Sequence, residues 1–158
     1  TQLMVFVPFG TPTNYWLPLQ VVRGTAASVP QSIFITDKNP ALFLASAGSS
    51  SRAGLFMATR GETTFQVSPD APAQAGDVLT ATATGLGWAA DDGTVTGLVL
   101  LDIGGMSVTP TSAVLSPVLL GVYTVQATIP AGAAKGNEVP VSISVDGQAS
   151  RAATIAIQ

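Results

Sequence analysis

Apolar and polar residues alternate along much of this chain with a period of two, the pattern of half-buried β strands. The clearest run is DVLTATAT, Asp77 to Thr84: Leu79, Ala81 and Ala83 fall on one side, Val78, Thr80, Thr82 and Thr84 on the other. Val125, Ala127 and Ile129 alternate in the same way with Gln126 and Thr128. Further strands are predicted over Thr1 to Val7, Trp16 to Arg23, Gln31 to Thr36, Ala41 to Ala45, Gly54 to Thr59, Thr63 to Val67, Gly97 to Ile103 and Ser112 to Leu119. Segments rich in Gly, Pro, Asn and Ser separate them. These are PFGTPTN at Pro8 to Asn14, DKNP at Asp37 to Pro40 and GSSSR at Gly48 to Arg52. Arg60-Gly61-Glu62 suits a hairpin turn, and Gly104-Gly105 breaks the chain after Ile103. No stretch carries a helical period, so the pattern predicts an all-β sandwich.

The chain states one of its patterns twice. Moved back by 122 positions, Val122 to Gln158 lands on the opening stretch up to Thr36 without a gap. Pro130 falls on Pro8, Gly132 on Gly10, Pro140 on Pro18, Ala149 on Ala27 and Ser150 on Ser28. Val125, Ala127 and Ile129 fall on Leu3, Val5 and Val7; Val139, Val141 and Ile143 on Leu17, Leu19 and Val21; Ile155 and Ile157 on Ile33 and Ile35. Internal repetition of this kind signals a repeated β module. The Pro- and Ala-rich PDAPAQAG, Pro69 to Gly76, marks the boundary, giving modules 1–68 and 69–158.

The first copy is more apolar than the second. Leu3, Met4, Val5, Phe6 and Val7 are all apolar, so both faces of that strand call for burial. Met4, Phe6, Val22 and Phe34 stand where the later copy has Gln126, Thr128, Ser144 and Ala156. They are expected on the outer face of their sheet, packed on the second module, exposed singly, or against another subunit. Burying four such groups contributes about 6–12 kcal/mol before entropy costs, from 1.5–3 each.

Composition narrows the function classes. Hydrophobic residues make up 47% of the 158 and charged residues only 9%, against a usual ~25% charged. That argues against disorder and for apolar surface covered by other molecules. Arg23, Lys38, Arg52, Arg60, Lys135 and Arg151 do not cluster, which disfavours nucleic acid. With no Cys and no His, disulfides, zinc sites on those ligands and His-based triads are excluded. No apolar run is long enough for a membrane-spanning helix. A start at Thr with no basic and apolar leader is expected of a processed or trimmed chain.

Candidate chemistry is sparse. Asp91-Asp92-Gly93, with Asp77 or Asp102, could offer oxygens to calcium, but the twelve-residue loop spacing is lacking; Asp-Asp-Gly is ordinarily a turn. Tyr15, Trp16 and Trp88 could form a stacking platform for a sugar, although loop aromatics of β modules more often cap a core or an interface. The acids are scattered rather than paired as a glycosidase requires. Ser49-Ser50-Ser51 has neither a nucleophile-elbow context nor a His base. Lys38, Lys135, Asn39 and Asn137 leave open a Lys–Asn crosslink, which their spacing does not support. No catalytic, cofactor or metal residue is assigned, and an enzyme is not expected.

GDVLTATATGLG, LLDIGGMSV, GVYTVQATIPAG and NEVPVSISVDGQAS together resemble an immunoglobulin-like module of the IPT/TIG type. From Asn39-Pro40-Ala41-Leu42-Phe43 to Gln158, the order of motifs is similar to an uncharacterised C-terminal domain of secreted acidobacterial proteins, the Solibacter-type domain. Thr1 to Pro8 resembles the late strand of that family's first module. The resemblance implies a secreted or cell-surface location and a β-sandwich fold, with no catalytic residues to carry over. The chain departs from the pattern at its beginning, where the first module's early strands are absent.

The fold expected is therefore all-β: two immunoglobulin-like β-sandwich modules in tandem, the first incomplete. A half-sandwich leaves an apolar face and unpaired edges. Missing strands can come from a neighbouring subunit by strand complementation or β-augmentation, or from sequence beyond this chain, or the sheet can be remodelled. Two functions follow. One is a structural subunit of an extracellular filament or cell-surface assembly, polymerising with copies of itself through Leu3, Met4, Val5, Phe6, Val7, Val22 and Phe34. The other is the C-terminal binding or anchoring module of a larger secreted protein, contacting polysaccharide.

Overall fold

The computed structural model describes residue 3 and residues 5–46 and 52–158. Met4 and Ser49 to Ser51 therefore lie outside the described residues. The protein is all-β, with no helix among the described residues. Its first strands are β1 (Tyr15–Leu19), β2 (Val22–Arg23), β3 (Ala26–Ala27), β4 (Gln31–Ile35) and β5 (Ala41–Leu42). The hairpin of β6 (Phe56–Arg60) and β7 (Thr63–Gln66) precedes β8 (Val78–Thr84), β9 (Val99–Ile103), β10 (Met106–Val108) and β11 (Ser112–Leu115). The chain closes with β12 (Val122–Thr128), β13 (Gly136–Val145), β14 (Gln148–Ala149) and β15 (Ala153–Ile157). It divides into two compact units, Thr1–Asp37 and Lys38–Gln158.

The second unit holds the two main sheets, both antiparallel. One runs β11-β12-β8-β6-β7, with β5 also on β8; the other runs β10-β9-β13-β14, with β15 also on β13. The period-two pattern explains their shared core. Leu79, Ala81 and Ala83 of β8 are buried together with Tyr123, Val125 and Ala127 of β12, while the intervening threonines and Gln126 are not. From the other sheet come Val99, Leu101 and Ile103 of β9, Val139, Val141, Ile143 and Val145 of β13, and Ile155 and Ile157 of β15. Residues flanking the β6–β7 hairpin extend the second sheet past β15. Gly54 N–H donates to Thr154 O and Ala73 N–H to Ala156 O, at 2.9 and 3.0 Å.

Two devices hold this unit's loops. Arg60 grips Asp77 with two hydrogen bonds, Nε to Oδ1 at 2.9 Å and Nη2 to Oδ2 at 2.7 Å. Gln74 N–H adds a third, to Oδ2 at 2.8 Å, so the buried carboxylate is fully partnered, as burial requires. At the other device, Gly85 adopts φ +73°, and a Cβ there would lie 2.0 Å from the Asn39 carbonyl oxygen. Only glycine lets the Asn39–Pro40 backbone lie that close.

The boundary differs from the one expected between residues 68 and 69. Ala41–Leu42, Phe56–Arg60 and Thr63–Gln66, assigned by sequence to the first module, belong to the sheet around β8. The reason is apolar burial: Leu42, Phe56 and Ala58 enter the common core. PDAPAQAG is a connection inside this unit rather than a linker, with Ala73 buried and bridged to Ile157.

The first unit is a β1–β4 ladder with a small β2–β3 hairpin inside it, and it repeats the end of the second unit except at the outer end, where Ile35 faces Tyr15 while Ile157, across a bulge, faces Gly136. In β13–β15 the partners are Val139 and Ile155, Pro140 and Thr154, Val141 and Ala153. In β1–β4 they are Leu17 and Ile33, Pro18 and Ser32, Leu19 and Gln31, each offset by the 122 residues of the sequence repeat. Ser144–Ala149 and Val145–Gln148 return as Val22–Ala27 and Arg23–Ala26. Ser150 N–H donates to Ile143 O at 2.8 Å and Ser28 N–H to Val21 O at 2.9 Å. The reverse bonds, Ile143 N–H to Ser150 Oγ and Val21 N–H to Ser28 Oγ, are both 3.1 Å. Even the left-handed turn residue recurs, Asp146 at φ 46° and Gly24 at φ 60°.

One expected strand does not form. Leu3 and residues 5–7 carry no strand pairing, whereas their counterpart β12 lies between β8 and β11. A segment with no sheet beside it has nowhere to place its backbone hydrogen bonds as a strand. Phe6 instead sets its ring edge-on against Phe9, centroids 5.6 Å apart.

Candidate interaction surface

The β1–β4 ladder has two faces, assigned by the alternation of side chains along each strand. Leu17, Leu19, Ile33 and Ile35 share one face with Tyr15, as their cross-strand pairing requires. Their counterparts Val139, Val141, Ile155 and Ile157 are core residues. In the first unit no described residue is buried. Within the ladder the contrast is plain at Val21, 43% exposed against 0% for Ile143, and at Leu19, 38% against 0% for Val141. A hairpin patterned for a core thus leaves Leu19 and Val21 exposed and Leu17, Ile33 and Ile35 half-buried on its core side.

Trp16, Pro18 and Phe34 make up the opposite face. Trp16 and Phe34 are directly paired, with ring centroids 5.3 Å apart and planes tilted by 54°. Their counterparts in the second unit are Glu138 and Ala156. Val22, the counterpart of Ser144, is exposed. Leu3, Val5, Val7, Val22 and Phe34 are all exposed large apolar residues, and Phe6 is half-buried.

The ladder also has an unpaired edge. Both backbone groups of Val21 point toward Ser28, so those of Gln20 and Val22 point the other way. Among the described residues none pairs with them. In the second unit that edge is occupied: β9 runs antiparallel along it, Ile103 opposite Val141, Leu101 opposite Ile143 and Val99 opposite Val145.

Tyr15 and Trp16 are adjacent in one strand and point to opposite faces, and Trp88 belongs to the second unit. All three are exposed.

The acidic candidates Asp92, Asp77 and Asp102 each hold a local bond of their own. Asp92 Oδ1 accepts the Thr94 N–H at 2.9 Å, a bond that holds its carboxyl below the usual value. The Arg60 hydrogen bonds, opposed by burial, lower Asp77. Asp102 Oδ1 accepts the Gly105 N–H at 3.1 Å and fastens the β9–β10 turn. Asp146 is lowered chiefly by Lys38, whose Nζ lies 2.5 Å from Oδ2. Among the described residues no three acidic groups gather around a common point. An open cavity of about 660 Å³ in the second unit is lined by Phe56, Val67, Ile155 and Ala156, with Glu138 its only acid. That lining lacks the second carboxyl that glycoside hydrolysis uses.

The alternation and the outward apolar substitutions are visible in the sequence. The edge at Gln20 and Val22 and the pairing of Trp16 with Phe34 are not. A cue to the core-patterned face does lie in the repeat: subtracting 122 from Val139, Val141, Ile143, Ile155 and Ile157 finds Leu17, Leu19, Val21, Ile33 and Ile35. No family model, curated protein or solved structure matches the chain.

Proposed function

We propose that this protein is a structural subunit of an extracellular or cell-surface assembly, built on immunoglobulin-like sandwich modules. In this reading Lys38–Gln158 is a complete module. Thr1–Asp37 is the closing half of another, finished by β strands of a neighbouring chain. The observation that carries it is the repetition of the β13–β15 hairpin combined with the incomplete cover of the face that is core in the second copy, where Leu19 and Val21 are exposed and Leu17, Ile33 and Ile35 only half-buried. The larger apolar side chains of the first copy support it, since Val22 and Phe34 are exposed where the second copy has Ser144 and the buried Ala156. The low charge content and the resemblance to secreted IPT/TIG-type modules point the same way. Donation of strands from chain to chain is a heterologous contact, and such contacts build open filaments unless the rotation closes.

Sedimentation of the purified chain tests this. Species at multiples of 15.9 kDa, growing with concentration, are expected; a single monomer across the concentration range overturns the reading.

A second reading has one observation in its favour. Trp16 is 68% exposed beside Phe34, and an exposed indole offers a face of the kind that stacks on sugar rings. As a polysaccharide-anchoring module, the protein would be retarded in gels containing soluble glycans, and Trp16→Ala would abolish the retardation.

A further inference from the structure

The geometry points to a specific strand-acceptor site at Leu19 to Arg23, whose partner is an extended segment of another chain with apolar side chains at alternate positions. This rests on the reading of Thr1–Asp37 as a half-module and names what completes it.

Continuity with the second unit supplies the argument. There the equivalent residues, Val141 to Val145, take β9 as an antiparallel neighbour, with Val99, Leu101 and Ile103 all buried. The acceptor has the same backbone, because the bonds that orient Val21 toward Ser28 repeat those that orient Ile143 toward Ser150. Gln20 and Val22 therefore present N–H and C=O groups to the open side, as Ser142 and Ser144 present theirs to Asp102 and Leu100. An incoming strand in that register sets its alternate side chains beside Leu19 and Val21, on the face shared with Leu17 and Ile33. Backbone bonds provide the attachment and the alternate side chains the selectivity, as in strand addition generally. The second unit's own β9 is no free donor, since β10 and β13 hold it on both edges. The donor is a separate segment of the same pattern.

The site is tested with the full chain and a synthetic peptide of Gly97 to Ile103 (GLVLLDI) carrying a C-terminal lysine tail. The wild-type chain is expected to bind it saturably. The same peptide with Leu100→Pro and Asp102→Pro keeps all three inward side chains but loses the backbone donors that face the acceptor; about tenfold weaker binding or worse is expected, from two hydrogen bonds of roughly 0.5–1.5 kcal/mol each. On the protein, Val22→Pro removes one edge donor, and proline is tolerated on sheet edges. Val22→Ser keeps the donor and copies Ser144. Val22→Pro should weaken binding severalfold, whereas Val22→Ser should bind like wild type. Equal binding of the normal and proline-substituted peptides overturns the inference, and so does no binding by wild type. The peptide comparison does not depend on any protein variant folding. The outcome is separable from self-assembly: a monomer that binds the peptide keeps the acceptor site and refutes the homopolymer. An assembling chain that ignores the peptide does the reverse.

Discussion

Val21 and Ile143 occupy the same place in two copies of one hairpin. They have the same hydrogen-bond partners at the same distances, yet Ile143 is sealed in a core and Val21 faces outward. The comparison separates two things usually seen together. Turn chemistry and local side chain–backbone bonds close the hairpin and set its register, and these are present in both copies. Burial depends on a second sheet and on a strand at the open edge; the second copy has both within its own unit, and the first copy has neither within its own. An isolated two-stranded ribbon is marginal in water, which is why the first copy calls for a partner.

The comparison can be broken most directly by making the first copy resemble the second. Val22→Ser with Phe34→Ala removes two apolar side chains worth about 1.5–3 kcal/mol each when covered. Self-association is expected to weaken by more than about a hundredfold in sedimentation, while urea unfolding of the second unit stays put. Unchanged association would move the interface off this face.

Next in size is truncation at the shared position. Ile143→Ala should cost about 2–5 kcal/mol in urea unfolding, as large-to-small core changes do. Val21→Ala in dilute protein should stay within about 0.5 kcal/mol, the range of surface substitutions. Equal costs would mean that Val21 already has a core around it.

Gly85→Ala sharpens the division between units. It forces a Cβ onto the Asn39 carbonyl at a left-handed φ, a conformation that alone costs about 1–2 kcal/mol. The second unit's unfolding midpoint should fall, while peptide binding at Leu19 to Arg23 below that midpoint should not change.

The smallest effect is on pH dependence and belongs to the second unit alone. Asp77 is held below its ordinary value of 3.8 by Arg60, so the unfolded chain binds the proton more readily than the folded one. Its contribution is complete above that ordinary value and disappears as pH falls through the lower, folded value. Asp146 and Asp92 are shifted in the same direction. Asp77→Asn should flatten the acid limb of a stability–pH curve without removing it.

Much of this was legible in the residues. The alternation of β8 and β12 predicted both strands and their buried faces, and the repeat predicted an equivalence that holds from Leu17–Ile33 inward and fails only at the bulge beside Gly136. Segments without strong alternation were misassigned. Residues 41–67 are short and bounded by turns, so the sequence placed them with their neighbours in the chain. The structure places Leu42, Phe56 and Ala58 where the apolar volume beside β8 needs filling. Leu3 and residues 5–7 are apolar enough for a strand but carry no strand pairing.

The sequence by itself determined the period-two pattern, the duplicated hairpin and its turns, because those depend on neighbours a few residues apart. Only the tertiary structure decided which copy is enclosed, where the units divide and which backbone edge is open. Those outcomes depend on which distant strands lie alongside, and two nearly identical local patterns carry no record of that.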